Sequence, residues 1–178
     1  LFRSNPIVLK KPYFCTMKKK LPYIHPLTLC GQRIKEEGIV VLDDVRGLPA
    51  GKDPLVSPDY VICIGQRGHT DLMYDDYTDF SEKYTVGVIF PNHSLKEIGK
   101  TNDYLATLIV VDAAVLDDPL LQGIRQMRYR YEPHPCVKLG KHEYKMIMNV
   151  VKGMQETSRI GIPDKRQLMV RQLEFLLR

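Results

Sequence analysis

The sequence predicts a mainly β chain with a helical end. Two observations carry that prediction. Between Gly38 and Asp112, short β-branched runs recur about every dozen residues with turn signals between them, the pattern of a sandwich or barrel. After Asp112 the apolar period lengthens to that of amphipathic helices.

Taken in order, residues 1–30 are rich in proline and show no sustained period, so they read as an arm. "GIVVLDD" is the first β-branched run. "DYVICIGQRG" is the second, too apolar in its first half to have a wet face. "HTDLMYDD" sets Leu72 and Tyr74 against Asp71 and Met73, which is strand alternation. "YDDYTDFSEKY" reads as a polar hairpin loop, and "KYTVGVIF", "HSLKEIG" and "DYLATLIVVD" complete the β series. In the helical part, Pro119 suits a helix N-terminus, with Leu120, Leu121, Ile124 and Met127 on one face. "HPCVKL" breaks that helix. A second stripe follows on Tyr144, Ile147, Val151 and Met154, and a third on Met169, Leu173, Leu176 and Leu177. Pro163 and Asp164 suit the first turn of the last helix. The third pattern is still running at Arg178, so the natural chain is expected to continue. The domain reading is an arm over 1–30, a β unit over 31–112 and a helical region over 113–178.

The 178 residues are enough for one real core. No apolar run approaches the roughly 18 residues of a membrane span, and the basic start lacks a signal-peptide core. Cys15, Cys30, Cys63 and Cys136 form no CxxC pair, which fits a reducing, cytoplasmic location and argues against structural zinc. The net charge of +5 hides an asymmetry, with six basic residues and no acid in residues 1–20. Residues 21–122 carry eight basic and sixteen acidic side chains, and residues 123–178 carry twelve basic and five acidic. The basic ends read as solvated faces rather than a single-strand nucleic-acid groove.

In their order and spacing, "VGVIFPNHS", "DYLATLIVVDAAVL" and "QLEFLLR" resemble the N-terminal sensing and dimerisation region of AraC-family transcription regulators, over about residues 30–178. Pro91 resembles the proline that ends a strand near the barrel mouth in that family. Tyr104 to Val115 resembles its strand leading into the first helix. The resemblance implies a cupin-like jelly-roll β-barrel followed by about three helices. It implies a bacterial regulator without catalysis, taking an unknown small-molecule effector and forming a homodimer. DNA would be bound only through a helix-turn-helix domain missing from this chain. No cofactor is implied.

The candidate pocket residues follow from alternation. Tyr60 and Ile62 share a face with Ile64, Leu72 shares one with Tyr74, and Val88 shares one with Val86 and Phe90. Arg67, His69, Tyr74 and His93 are the polar groups that could orient a ligand. The stripe Met169, Leu173, Leu176 and Leu177 is the candidate dimer interface, the other reading being a cover for the barrel. Two alternative functions stay open. A metal-dependent cupin enzyme, of dioxygenase or isomerase type, would need His69, Asp71 and His93 to converge as a two-His, one-carboxylate set. His69 lacks the second histidine of a His-x-His pair, so no metal is expected. A stand-alone small-molecule-binding barrel is the other alternative. No GxSxG, P-loop or GxGxxG motif is present, and Cys63 reads as core.

Overall fold

The computed structural model of the chain describes residues 38–48, 54–121 and 136–177. Among these residues nine strands lie in this order: β1 Ile39–Val45, β2 Leu55–Val56, β3 Tyr60–Arg67, β4 His69–Tyr74, β5 Tyr77–Glu82, β6 Thr85–Ile89, β7 Ser94–Lys100, β8 Leu105–Val111 and β9 Cys136–Lys138. Two α-helices follow, α1 Lys141–Arg159 and α2 Lys165–Leu176.

The pairing is that of one long hairpin rolled up. β1 pairs with β8, β2 with β7, β3 with β6 and β4 with β5, all antiparallel. Rolling brings β8 onto β3 and β7 onto β4. The result is two sheets, β1-β8-β3-β6-β9 and β2-β7-β4-β5, which is jelly-roll topology. The strand sequences show why each lies where it does. β3, β6 and β8 hold almost continuous buried runs because both faces of the five-stranded sheet are covered. β4 alternates buried and exposed residues because the outer face of its sheet is wet.

Two apolar clusters result. One lies between the sheets and includes Val61, Cys63, Leu72, Tyr74, Ile89 and Leu108. The other lies between the back of the five-stranded sheet and the helices and includes Ile62, Ile64, Ile109, Val151, Met154 and Leu173. The rolled sheets meet tightly at one corner. A Cβ on Gly65 of β3 would stand 1.9 Å from the Glu82 carbonyl oxygen of β5, so only glycine fits there. On that side the Cys136 N–H donates to Asp79 Oδ2 at 3.1 Å, and Lys138 Nζ meets Glu82 Oε1 at 2.5 Å.

Several expectations change. "YDDYTDFSEKY" is not a loop. It contains β5, joined to β4 by a two-residue turn, Asp75–Asp76, with Asp75 at φ 50. β5 is an edge strand with a wet face, so only Ser81 of it is buried and no apolar alternation marks it. The break "HPCVKL" supplies β9, which extends the larger sheet beyond β6. The first expected helix begins as two 3₁₀ turns, Ala113–Asp117 and Pro119–Leu121, with Asp112 Oδ1 accepting the Ala114 N–H at 2.8 Å. Leu121 is buried, while Ile124 and Met127 lie outside the described residues, as does the arm 1–30. Asp164 does not enter the first turn of α2; it precedes the helix at φ 62.

The largest correction concerns the proposed interface. Met169 and Leu173 are 0% exposed within the single chain, and Leu176 and Leu177 are buried with them. All four pack in the cluster between helices and sheet. That stripe covers the barrel, so it is not available to a second copy. A helix laid on a flat apolar sheet buries the same stripe that a dimer would use, and spacing alone does not separate the two. No helix among the described residues is long and apolar enough to cross a membrane.

Candidate functional site

A cavity opens between the two sheets. Its interior leaves about 70 Å³ for the centre of a water-sized sphere, and about 730 Å³ of atom-free space when solvent at its open mouth is counted. Its walls come from both sheets: Val61 and Cys63 of β3, Ala106 and Leu108 of β8, Thr70 and Leu72 of β4, and Leu95 and Glu97 of β7. Gly47, Leu48, Leu55 and Ser57 border it along the β1 and β2 side. Residues with short side chains, Cys63, Thr70 and Ala106, leave the space; larger residues on the opposite faces of β3 and β8 fill the helix-side core.

The polar groups fall into two sets. At the inner end, Tyr104 O–H donates to Ser81 Oγ at 3.0 Å, and Cys63 Sγ lies 3.7 Å from the Tyr104 oxygen and 3.8 Å from Ser81 Oγ. Burial pushes the Tyr104 hydroxyl and the Cys63 thiol well above their ordinary pKa values, so both are neutral. The second set holds Glu97 and His93, among the described lining residues, with their partners. Glu97 Oε2 accepts the Leu48 N–H at 3.0 Å, while Oε1 lies 3.1 Å from Lys100 Nζ. His93 Nδ1 lies 2.6 Å from Asp75 Oδ2, and its ring stacks on Tyr74 with centroids 5.2 Å apart. Asp75 Oδ1 also accepts from the Ser94 amide at 2.8 Å and the Ser94 hydroxyl at 3.0 Å.

His93 lies between β6 and β7, just ahead of Ser94. It is a wall residue, held flat on Tyr74 by a carboxylate from the β4–β5 turn. Burial works against the Asp75 charge, yet the Ser94 amide, the His93 ring and the Ser94 hydroxyl hold its pKa below the ordinary 3.8. A depressed folded-state value means that the unfolded chain binds the proton more readily. The stabilisation is therefore complete above the unfolded value, roughly pH 4, and is lost as pH falls through the folded value. Melts of wild type and Asp75→Asn across pH 2–6, a range set about the carboxylate reference, are expected to differ in acid slope, with the variant flatter. Parallel curves would contradict this role.

The expected pocket residues divide. His93 lines the cavity. Tyr74 is buried between the sheets beside it and accepts the Phe90 N–H at 3.4 Å. Tyr60, Ile62 and Val88 lie on the helix side of the same sheet. Arg67 Nε donates to the Asp103 carbonyl at 3.1 Å on the exposed surface. His69 pairs with Asp71 at 2.9 Å and stacks on Phe80, also on the outside. The sequence reading missed Val61, Cys63, Ala106 and Glu97. With both faces of β3 and β8 apolar, alternation does not say which face looks inward. The signal that could have chosen is size, since the rows holding Cys63 and Ala106 have the smaller side chains.

The metal set does not assemble. His69 begins β4 and His93 stacks on Tyr74 at its other end, a separation of roughly 16 Å by strand rise. Among the described residues no group of three or more His, Cys, Asp or Glu could hold a metal ion.

No protein-family model and no curated protein matches the chain. Among solved structures it is similar to the AraC-like transcriptional activator CuxR, at 12% identity and TM-score 0.45 over 67% of this chain and 42% of that one. It is similar to ToxT from Vibrio cholerae O395, at 10% identity and TM-score 0.41 over 79% of this chain and 53% of that one. It is also similar to a Cupin 2 conserved barrel domain protein from Salinispora arenicola CNS-205, at 18% identity and TM-score 0.30 over 53% of this chain and 92% of that one. The chain thus spans about half the length of the two regulators. At these identities and scores no residue inherits a role from any of them.

Proposed function

We propose that this chain is the small-molecule-sensing region of a cytoplasmic, bacterial transcription regulator of the AraC type, acting without catalysis. One observation carries the reading: the cavity and the helices share a wall. Val61 and Cys63 face the cavity, while Ile62 and Ile64, alternating with them on β3, face α1 and α2. On β8, Ala106 and Leu108 face the cavity and Ile109 the helices. A ligand that presses on one side of this wall acts on helix packing through the other, because close-packed interiors transmit displacement. A chain whose helices lead toward a DNA-binding domain would use that coupling as its output.

The homodimer remains part of this proposal, through a surface other than the buried stripe. The outward side of α2 carries Leu168 and Phe175, seven residues apart and both exposed. The cupin-enzyme alternative has no support from the His69, Asp71 and His93 placement. The stand-alone binding barrel differs from the sensor only in what the helices do. The proposal is tested by asking whether small apolar molecules raise the melting temperature of the wild type, and not that of Ala106→Leu, in which the cavity is filled.

A further inference from the structure

Resting on that reading, we propose that the cavity takes an uncharged, mainly apolar ligand, and that Glu97 at its wall excludes carboxylates and other anions. The argument runs from the charge placement. Among the described residues the lining holds no lysine or arginine. The one carboxylate among those lining residues, Glu97, is bound from both sides by the Leu48 amide and Lys100. Lys100 is therefore engaged and would have to leave Glu97 to meet a ligand anion. The loop ahead of Leu48 sits directly on this pair: a Cβ on Gly47 would stand within 2.5 Å of Glu97 Oε2. His93, the other ionisable wall residue, is committed to Asp75 at 2.6 Å.

The inner end gives the same answer. Tyr104 and Cys63 of the lining offer neutral hydrogen-bonding groups only, in a setting where burial already penalises negative charge on the tyrosine and the thiol. A buried anion without a cationic partner is costly, whereas a ligand hydroxyl needs one acceptor, which the oxygen of Tyr104 or Thr70 could supply while its own O–H stays on Ser81 or the Gly99 carbonyl. A sugar is also a poor fit, because most of the wall has no polar atom for its many hydroxyls.

The test uses one carbon skeleton in three charge states on the full chain: 2-naphthalenemethanol, 2-naphthoate and 2-naphthylmethylammonium. Calorimetric titration is expected to show the alcohol binding at least about tenfold more tightly than either charged analogue. In Glu97→Gln the gap between alcohol and carboxylate is expected to narrow, chiefly by tighter carboxylate binding. A merely structural Glu97 would weaken all three together. Equal or tighter binding of either charged analogue by the wild type would overturn the inference and leave the cavity a ligand site. Binding of none of the three would count against the inference and the sensing proposal alike.

Discussion

Leu173→Glu is expected to unfold the chain. Leu173 is 0% exposed and lies between α2 and the sheet, among Met154, Met169 and Val170. Removing a buried leucine costs about 2–5 kcal/mol, and an unpaired buried carboxylate adds to that. A domain's whole stability is about 5–15 kcal/mol, so little remains. A two-fold interface at this stripe would give the opposite result, a soluble and folded monomer. Met146→Glu on α1 is the control. Met146 is 46% exposed and lies off the proposed dimer surface, so its replacement should change stability by no more than about 0.5 kcal/mol. Circular dichroism melts of both variants decide the matter. A Leu173→Glu protein that melts like the wild type would show that the helix packs elsewhere.

Gly65→Ala is expected to be nearly as severe, although it adds one methyl group. The new Cβ would lie 1.9 Å from the Glu82 carbonyl oxygen, and Thr85 Oγ1 would be 2.9 Å away. The obstacle is backbone, so no side chain can turn aside. Either β3 or the β5 end must move, at the corner where the register on β8 already shifts between Gly65 and Arg67. Overpacking costs about 1–3 kcal/mol and occasionally more, and a clash with backbone belongs at the upper end. Gly99→Ala is its counterpart, because a Cβ there meets nothing within 4 Å. It should fall within about 0.5 kcal/mol of the wild type. Equal melting temperatures for the two alanine variants would contradict the close approach of β3 and β5.

What the sequence made legible follows from how many faces of each element are covered. β1, β3, β4, β6, β7 and β8 were all found as runs, because burial on one or both faces writes itself into side-chain type. β5 was missed because its outer face is wet and its inner face is short, and β9 because three residues carry no period. The two long helices were found with their buried stripes, Val151 and Met154 on one and Met169 and Leu173 on the other. Their destination was not legible, since a stripe records that it is buried and not against what. The cavity was least legible. Choosing between the Tyr60–Ile62–Ile64 row and the Val61–Cys63 row needs the knowledge that helices cover one side, which is tertiary information. His93 was named among the polar groups that could orient a ligand. Its partner Asp75 comes from a turn eighteen residues earlier in the chain, and only the fold brings the two together.

The measurement that bears most directly on the sensing proposal is ligand-induced stabilisation of the wild type against Ala106→Leu. Ala106 is 1% exposed and lines the cavity from β8, so a leucine there projects into the empty space. A panel of small apolar molecules with neutral, anionic and cationic groups is added to each protein in a thermal melt. A ligand that binds only the folded state at one hundred times its Kd stabilises it by about 2.7 kcal/mol, a shift of several degrees. The predicted result is that at least one member raises the melting temperature of the wild type and leaves that of the folded Ala106→Leu protein where it was. A panel that moves neither protein, or moves both alike, would contradict a ligand site between the sheets.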